Sequence, residues 1–215
     1  PYMMNLIPYL PSDIRFAQDV FSNTSVILVS GDGGQFYVPG QDVNTLDLSG
    51  GMSPGEAYRV FIDGSESIDF VYGNSSNSRE DLSDNDRYEQ TLTQVYSHNV
   101  TPTGLSYPII ITDIIGQVEA GDEIVAYSND KIVGATRIVD KEFPIVIAAW
   151  EGFNHYGLSL DGYTPGDPID LRYYSISLDK ELKLTMDLSQ LNYGQGVFSS
   201  GTVDLTDVLP ESFSM

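Results

Sequence analysis

Short runs rich in Val, Ile, Tyr and Phe alternate along this chain with polar turn segments such as Gly-Asp-Gly-Gly at 31–34 and Asn-Asp at 129–130. These residue types favour strands, and Gly, Asp and Asn favour the turns between them. The pattern predicts strands at 26–30, 57–62, 67–72, 107–112, 123–127, 131–139, 145–150, 169–175, 181–186 and 197–205.

The regular spacing of these strands, with little helix between them, favours β-sandwiches over an α/β fold. One helix is expected near the N-terminus, over 13–21, with Ser12 as its cap and with Ile14, Ala17 or Gln18, and Phe21 on one face. The predicted fold class is therefore mostly β, with two small β-sandwich-like modules and one short N-terminal helix.

One segment differs from the rest. Residues 74–86, Asn-Ser-Ser-Asn-Ser-Arg-Glu-Asp-Leu-Ser-Asp-Asn-Asp, are polar apart from one leucine. Such a composition is typical of a linker or long loop. We therefore expect an N-terminal β module with the short helix at 1–73, an acidic polar linker at 74–90 and a C-terminal β-sandwich module at 91–215.

The same turn chemistry occurs three times, in SPGEAYRVFI from position 53, EAGDEIVAYS from 119 and TPGDPIDLRYY from 164. In each segment a glycine precedes an acid, and a strand follows. Where proline comes before the glycine, proline fixes φ near −65° and glycine tolerates a positive φ, as a type II turn requires. Each segment is therefore predicted to be a turn that starts a strand.

Composition narrows the function classes. Ten Lys and Arg face 31 Asp and Glu in 215 residues, a formal net charge of −21. This balance argues against nucleic acid and anionic membrane surfaces as partners, and it favours solubility and divalent cations.

The absence of cysteine excludes disulfides, thiolate zinc sites and cysteine nucleophiles. No apolar run approaches the roughly 20 residues of a membrane span. Because the chain begins with Pro1, we expect a processed product without its signal peptide.

Clusters of acidic residues are candidate calcium ligands, since calcium binds six to eight oxygens from carboxylates, amides and carbonyls. No segment matches the twelve-residue calcium loop, because the Asp-Asn-Asp at 84–86 lacks the glycine and closing glutamate. The alternative is that these acids form turns on a wet surface. The candidates are Asp161, Asp167 and Asp170 around one turn, Asp122 and Glu123 after another, and Asp84 and Asp86 in the linker.

Aromatic residues are concentrated between positions 150 and 174. Aromatic faces can stack on sugar rings while neighbouring polar groups bond the hydroxyls, so a carbohydrate site is predicted around Trp150, Tyr156 and Tyr163. The alternative is that Trp150, at the end of an apolar strand, belongs to the core.

Catalytic motifs are not evident. The chain has two histidines and no Gly-x-Ser-x-Gly elbow, phosphate loop or His-Glu-x-x-His motif. A glycosidase needs only two carboxylates about 5–10 Å apart, which a sequence does not exclude. Two small β modules leave little room for a deep cleft, so we expect a protein that is not an enzyme.

The N-terminal segment YMMNLIPYL is extended and apolar. As a free sheet edge it would promote aggregation, and as a strand donated to a neighbouring copy it would join a polymer. The alternative is an ordinary first strand of its own domain. The residues proposed for assembly are Tyr2, Met3, Met4, Leu6 and Ile7.

One part of the chain carries MNLIPYLPSD, VFSNTSVILVSGDGGQFYVPG and MSPGEAYRVFI, and a second part carries GDEIVAYSNDKIVGATRIV, FPIVIAAWEG and DGYTPGDPIDLRYY. Both parts resemble β modules of secreted proteins from Bacteroidetes-like and related marine bacteria. The tail LPESFSM is similar to the segment before the sorting tag of type IX secretion substrates. The resemblance implies an extracellular or surface-attached protein and no catalytic residues.

Together these patterns predict a secreted, non-enzymatic structural subunit of an extracellular filament, tube or surface layer. Its main partner is a second copy of itself, with calcium as a stabilising ion. The alternative is a carbohydrate-binding or adhesive surface module with an extracellular glycan as partner. Neither prediction involves nucleic acid or membrane insertion.

Overall fold

The computed structural model describes residues 3–22, 24–62, 70–72, 95–96, 100–139 and 143–205. The chain is mostly β, and the prediction of a β-sandwich-like fold class is confirmed. It divides into a first unit, residues 1–91, and a second unit, residues 92–215. The predicted linker at 74–90 lies outside the described residues. Of the strand predicted at 67–72, only 70–72 are described, and they are not in a strand.

The first unit contains one five-stranded antiparallel sheet in the order β1-β5-β2-β3-β4. Two short helices, α1 and α2, accompany it, together with a 3-10 turn at Pro39–Gln41. The core of this unit packs α1 and α2 against β2 and β5, with Phe21, Leu46, Tyr58 and Val60 among its buried residues. The elements are β1 (Met3–Pro8), α1 (Ala17–Val20), β2 (Val26–Ser30), β3 (Phe36–Val38), β4 (Val43–Asn44), α2 (Thr45–Leu48) and β5 (Ala57–Ile62).

The predicted helix at 13–21 is wrong in its length and in its cap. Helix α1 covers only Ala17–Val20, and no local side chain caps it. Arg15 instead forms a β-bridge with Met52, which excludes a helical conformation there. The buried Asp47 of α2 accepts hydrogen bonds from the Ala17 and Gln18 backbone N–H groups at 2.5 and 3.2 Å. The helix thus begins four residues later than expected, and a carboxylate distant in sequence, in place of Ser12, accepts from its first N–H groups.

The second unit contains two four-stranded sheets in the orders β13-β12-β7-β8 and β14-β15-β6-β9, with a separate hairpin of β10 and β11. All pairs are antiparallel except β15 with β6. One core contains residues from both sheets. The strands are β6 (Ser106–Ile115), β7 (Glu123–Ser128), β8 (Lys131–Arg137), β9 (Ile145–Trp150), β10 (Phe153–His155), β11 (Leu158–Leu160), β12 (Asp170–Ser175), β13 (Lys180–Lys183), β14 (Thr185–Leu188) and β15 (Ser199–Asp204).

The strand predicted at 181–186 is two strands in different sheets. β13 pairs with β12 and β14 pairs with β15, so the chain passes from one sheet to the other at Leu184. Leu184 is buried in the shared core, and its backbone N–H donates to the Leu171 carbonyl at 3.4 Å. Because both halves of the run have strand-forming residues, the sequence pattern does not mark this corner.

Tyrosine side chains form much of the second core. The rings of Tyr163 and Tyr193 stack with centroids 4.6 Å apart, and Tyr107 meets both edge to face. Tyr107 donates from its hydroxyl to the Gln195 carbonyl at 2.6 Å, and Tyr193 donates to the Tyr127 carbonyl at 2.9 Å. Burial is the main cause that raises the pKa of Tyr107, Tyr163 and Tyr193 far above the usual value near 10.

These raised pKa values predict alkaline unfolding. Since the folded pKa values exceed the unfolded value of about 10, this contribution to stability is complete below pH 10 and declines as the pH rises above it. We expect Trp150 fluorescence to report unfolding of the second unit above about pH 10. The Tyr163→Phe variant, which has one fewer buried phenol, should unfold at a higher pH. Equal pH midpoints of unfolding for the wild type and Tyr163→Phe, read from Trp150 emission, would contradict the prediction.

Candidate functional site

The acidic turn at 161–170 places its three carboxylates against three different partners. Lys131 donates to Asp161 at 2.6 Å between two exposed side chains. Asp167 accepts from the Ser128 hydroxyl at 2.6 Å and the Thr164 backbone N–H at 3.0 Å. These hydrogen bonds hold the pKa of Asp167 below its usual range. Asp167 therefore stabilises the turn through the Thr164 N–H, as acids in turns commonly do, and connects the turn to the end of β7 through Ser128.

Asp170 belongs to a charge cluster that sequence analysis missed. The Arg172 guanidinium lies 2.9 Å from Asp170, 3.3 Å from Asp130 and 3.5 Å from Glu181, and 4.0 Å above the Tyr127 ring. The hydrogen bond from Arg172 to Asp170 is the main cause that raises the arginine pKa. Asp170 and Arg172 are two residues apart on β12, a spacing that could have suggested the pair, whereas Asp130 and Glu181 come from other parts of the fold.

The other acidic pair, Asp122 and Glu123, is almost completely buried. Asp122 accepts hydrogen bonds from the Ile176 N–H at 2.9 Å, the Glu119 N–H at 2.8 Å and the Tyr173 hydroxyl.

Glu123 accepts from two consecutive backbone N–H groups, those of Val95 at 2.6 Å and Tyr96 at 2.7 Å. Both carboxylates therefore hold loop segments against the sheet by accepting hydrogen bonds from their backbone N–H groups.

The described residues contain no group of three or more His, Asp or Glu side chains arranged to hold a metal ion. Asp161, Asp167 and Asp170 are close in sequence, but their carboxylates serve separate contacts. Asp84 and Asp86 lie outside the described residues. Calcium binding therefore stays a prediction, and the turns described above do not supply a preformed site for it.

Of the three aromatic residues predicted to bind carbohydrate, two are buried. Trp150 and Tyr163 are each 4% exposed and lie in the interior of the second unit. Their rings present no face on which a sugar could stack, because that face is covered by protein. The alternative prediction for Trp150, that it is a core residue, is confirmed.

Tyr156 is instead fully exposed at the tip of the hairpin formed by β10 and β11, which we call the aromatic hairpin (153–160). Tyr156 and Gly157 form its two-residue turn with φ of 56° and 78°. Two positive φ values are typical of a type I′ turn, in which Asn-Gly is the preferred pair. A tyrosine in this conformation costs about 1 kcal/mol relative to an ordinary one. The turn therefore does not explain why tyrosine occupies this position.

The aromatic hairpin has two unlike faces. Cross-strand pairing places Phe153 opposite Leu160 and His155 opposite Leu158, so these four side chains share one face. The Phe153 and His155 rings meet edge to face at 5.4 Å, while the second face carries Asn154 and Ser159. At the base, Gly152 N–H donates to the Tyr163 carbonyl at 2.8 Å and Tyr163 N–H to the Trp150 carbonyl at 2.9 Å. Backbone hydrogen bonds therefore hold the base of the hairpin, and one of its faces is mainly apolar and partly exposed.

The N-terminal segment forms β1, an edge strand that pairs with β5. Met4 and Leu6 are exposed, whereas Ile7 packs against the core of the first unit. Tyr2 and the side chain of Met3 lie outside the described residues. In this structure β1 is therefore the first strand of its own unit and lies at the edge of the sheet, where the Tyr72 hydroxyl donates to the Pro8 carbonyl at 2.7 Å.

The edges of the two four-stranded sheets in the second unit are protected in ways that β1 is not. β13 carries the exposed Lys180 and Lys183, and β14 carries the exposed Asp187. β8 and β9 shield each other, since a Cβ added at Gly134 would lie 2.6 Å from the Ala148 carbonyl oxygen. The six residues of β1, Met-Met-Asn-Leu-Ile-Pro, contain no charge. Natural sheets avoid such edges unless the edge is covered or used for binding.

Comparison with known proteins gives no independent guide to function. No family model matches the chain, and no significant match was found among curated proteins or solved structures. Within the described residues no helix is both long and apolar enough to cross a membrane. The edge strand β1 and the aromatic hairpin are therefore the two features that bear on function.

Proposed function

We propose that this protein is a secreted, non-enzymatic structural subunit of an extracellular assembly, such as a filament, tube or surface layer. The observation that carries the proposal is the uncharged edge of β1, with Met4 and Leu6 exposed beside it. A strand at the edge of a sheet can extend that sheet by pairing with a strand of another copy. Two copies of β1 related by a two-fold axis would form a continuous antiparallel sheet.

The charge of the chain agrees with contact at this strand. At −21 per copy, close approach of two molecules is unfavourable except where the touching surfaces lack charge or a cation lies between them. β1 meets the first condition. Calcium would meet the second, because a divalent ion screens carboxylates on neighbouring copies even where neither copy alone has a complete site. The proposed assembly is thus joined by β1 and strengthened by calcium.

The alternative function, a carbohydrate-binding or adhesive module, has less support. Of Trp150, Tyr156 and Tyr163, only Tyr156 is exposed. A single ring at the end of a convex hairpin lacks the concave surroundings in which small ligands are usually bound.

The substitution Leu6→Glu tests the role of β1. Leu6 is 66% exposed and pairs with Arg59 across the sheet, so a glutamate there leaves the monomer folded while placing a charge at the joint. We expect the wild-type protein to form oligomers or polymers in calcium, and Leu6→Glu to reduce the assembled fraction at least about tenfold, as a 1.4 kcal/mol loss per contact would. Analytical ultracentrifugation and negative-stain microscopy measure this fraction.

Leu48→Glu is the matched control, since Leu48 is 71% exposed in the same unit but lies on α2 rather than at a sheet edge. It should assemble like the wild type. Adding a chelator should weaken assembly of both proteins. A wild-type protein that stays monomeric at every calcium concentration would reject the proposed function, and equal loss in both variants would reject β1 as the joint.

A further inference from the structure

Residues 70–72, which follow β5 in the chain, pack back against the first unit. The Phe70 ring stacks on the Phe21 ring with centroids 5.2 Å apart. The Tyr72 ring meets the Tyr9 ring edge to face at 5.4 Å, and it meets Phe70 in the same way at 4.9 Å. We call this segment the aromatic latch (70–72).

The aromatic latch has the alternating burial of an extended segment. Phe70 and Tyr72 pack against the core of the first unit, whereas Val71 between them is 80% exposed. Burial raises the pKa of Tyr72, so its hydroxyl keeps its proton and remains a hydrogen-bond donor at neutral pH. Two rings and one hydroxyl therefore hold the latch on the unit.

The Tyr72 hydroxyl donates to a carbonyl on the outer edge of β1. Its acceptor is the Pro8 carbonyl, at 2.7 Å. Tyr9, the next residue, donates from its N–H to the Glu56 carbonyl at 2.8 Å and accepts from the Gly55 N–H at 3.5 Å, so its backbone groups point toward the chain that enters β5. Neighbouring residues of an antiparallel strand direct these groups to opposite sides. The Pro8 carbonyl therefore points away from β5.

We propose that the aromatic latch blocks the Pro8 end of β1 in the free monomer, and that β1 of a second copy displaces Tyr72 when the full joint forms. The proposal concerns the regulation of the assembly surface described above, and it rests on that proposed function. The latch is thus an autoinhibitory contact within one copy.

The geometry of strand pairing shows why the two contacts compete. In an antiparallel pairing of two β1 strands centred on Leu6, the Met4 N–H of each copy would donate to the Pro8 carbonyl of the other. That N–H would come within about 2.9 Å of the oxygen, a place that the Tyr72 hydroxyl holds. Proline has no N–H, so this carbonyl is the one backbone group that Pro8 offers to a partner strand.

A cover of this kind suits an edge strand that has to pair only in the assembly. An uncharged edge promotes aggregation, and natural sheets cover such edges. A short segment held by packed rings and a side-chain hydrogen bond can open locally at a lower free energy than global unfolding requires. The latch therefore delays pairing of β1 in dilute monomers without preventing it where copies are concentrated.

The substitution Tyr72→Phe tests the latch, because it keeps the ring and removes the hydroxyl. Loss of one ordinary hydrogen bond raises the open population about fivefold. We therefore expect Tyr72→Phe to assemble in calcium at an initial rate about fivefold above that of the wild type, measured by light scattering. An equal or lower rate would overturn the proposal.

Tyr37→Phe is the matched control. Tyr37 is also partly buried against the core of the first unit, but it lies on β3, which β5 and β2 separate from β1 in the sheet. It should assemble at the wild-type rate. Hydrogen exchange of the latch peptide, measured in calcium-free monomers, should be faster in Tyr72→Phe and unchanged in Tyr37→Phe. Equal exchange in both variants would show that the hydroxyl does not hold the latch and would also overturn the proposal.

The Leu6→Glu background separates the latch from the assembly function. The gain from Tyr72→Phe should vanish in the double variant, because it acts through β1, and a gain that persists there counts against the latch. If the wild type assembles through β1 and Tyr72→Phe merely matches it, the latch alone is rejected. If neither protein assembles at any calcium concentration, the assembly function is rejected and the latch with it.

Discussion

Replacing Asp122 with alanine is expected to lower the free energy of unfolding of the second unit by about 3 kcal/mol or more, because hydrogen bonds to buried charged groups each contribute about 1.5–3 kcal/mol. Asp122 is 1% exposed and accepts three such bonds, from Tyr173, Ile176 and Glu119. Alanine would leave two backbone N–H groups and one hydroxyl without their acceptor. This carboxylate also fixes the backbone of Ile176, so its loss should disturb the turn at 176–178.

Denaturant unfolding followed by Trp150 emission measures the effect, since Trp150 is the only tryptophan of the chain and lies in the core of the second unit. Glu119→Ala is the matched control. It removes an exposed acid from the same turn and leaves the Glu119 backbone bond to Asp122 in place. Superimposable curves for Asp122→Ala and Glu119→Ala would show that the buried carboxylate does not stabilise this unit.

The second large effect is expected at Gly201, in the middle of β15. A Cβ at this position would lie 1.9 Å from the Asp187 carbonyl oxygen on the paired strand β14, far inside contact distance. The pairing of β15 with β6 also shifts register between Gly201 and Thr202, as it does at a bulge. Gly201→Ala should force β14 and β15 apart and destabilise the second unit by about 2–3 kcal/mol.

The control for this substitution is Gly40→Ala, because a Cβ added at Gly40 meets no heavy atom within 4 Å. Both variants are compared by thermal unfolding, with Trp150 fluorescence reporting the second unit. Gly40→Ala should leave that transition unchanged. A Gly201→Ala transition at the wild-type temperature would mean that β14 and β15 accommodate the methyl group without loss.

Several strands could be located from the sequence with accurate bounds. The predictions at 26–30, 57–62 and 145–150 coincide with β2, β5 and β9. In these segments strand-forming residues are bounded by turn residues, so local preference and tertiary pairing agree. The turn at 164–167 was likewise predictable, because proline and glycine restrict the backbone wherever they occur.

Predictions from local residue preference were wrong where a residue distant in the chain determines the secondary structure. Ser12 is a good cap by type, yet the N–H groups of α1 bond to Asp47, thirty residues away from Ala17. The run at 181–186 has uniform strand preference, but the two sheets divide it at Leu184. In both cases the deciding partner is a group whose position depends on the whole unit.

For the candidate site residues, too, the sequence shows the residue types but not their burial or their partners. Trp150, Tyr156 and Tyr163 are similar aromatic residues within fourteen positions, and only burial separates the two core rings from the exposed one. Asp161, Asp167 and Asp170 are neighbours in sequence, but strand twist and turn geometry aim them at Lys131, Ser128 and Arg172.

By itself, the sequence determined that this chain is mostly β, strongly acidic and free of cysteine, because residue preferences and charge are properties of the residues alone. Only the tertiary structure decided that β1 is the edge of its sheet and that Tyr156 is exposed at a hairpin tip while Trp150 and Tyr163 are buried. Exposure depends on what packs against each side chain, and those partners come from strands far apart in the chain.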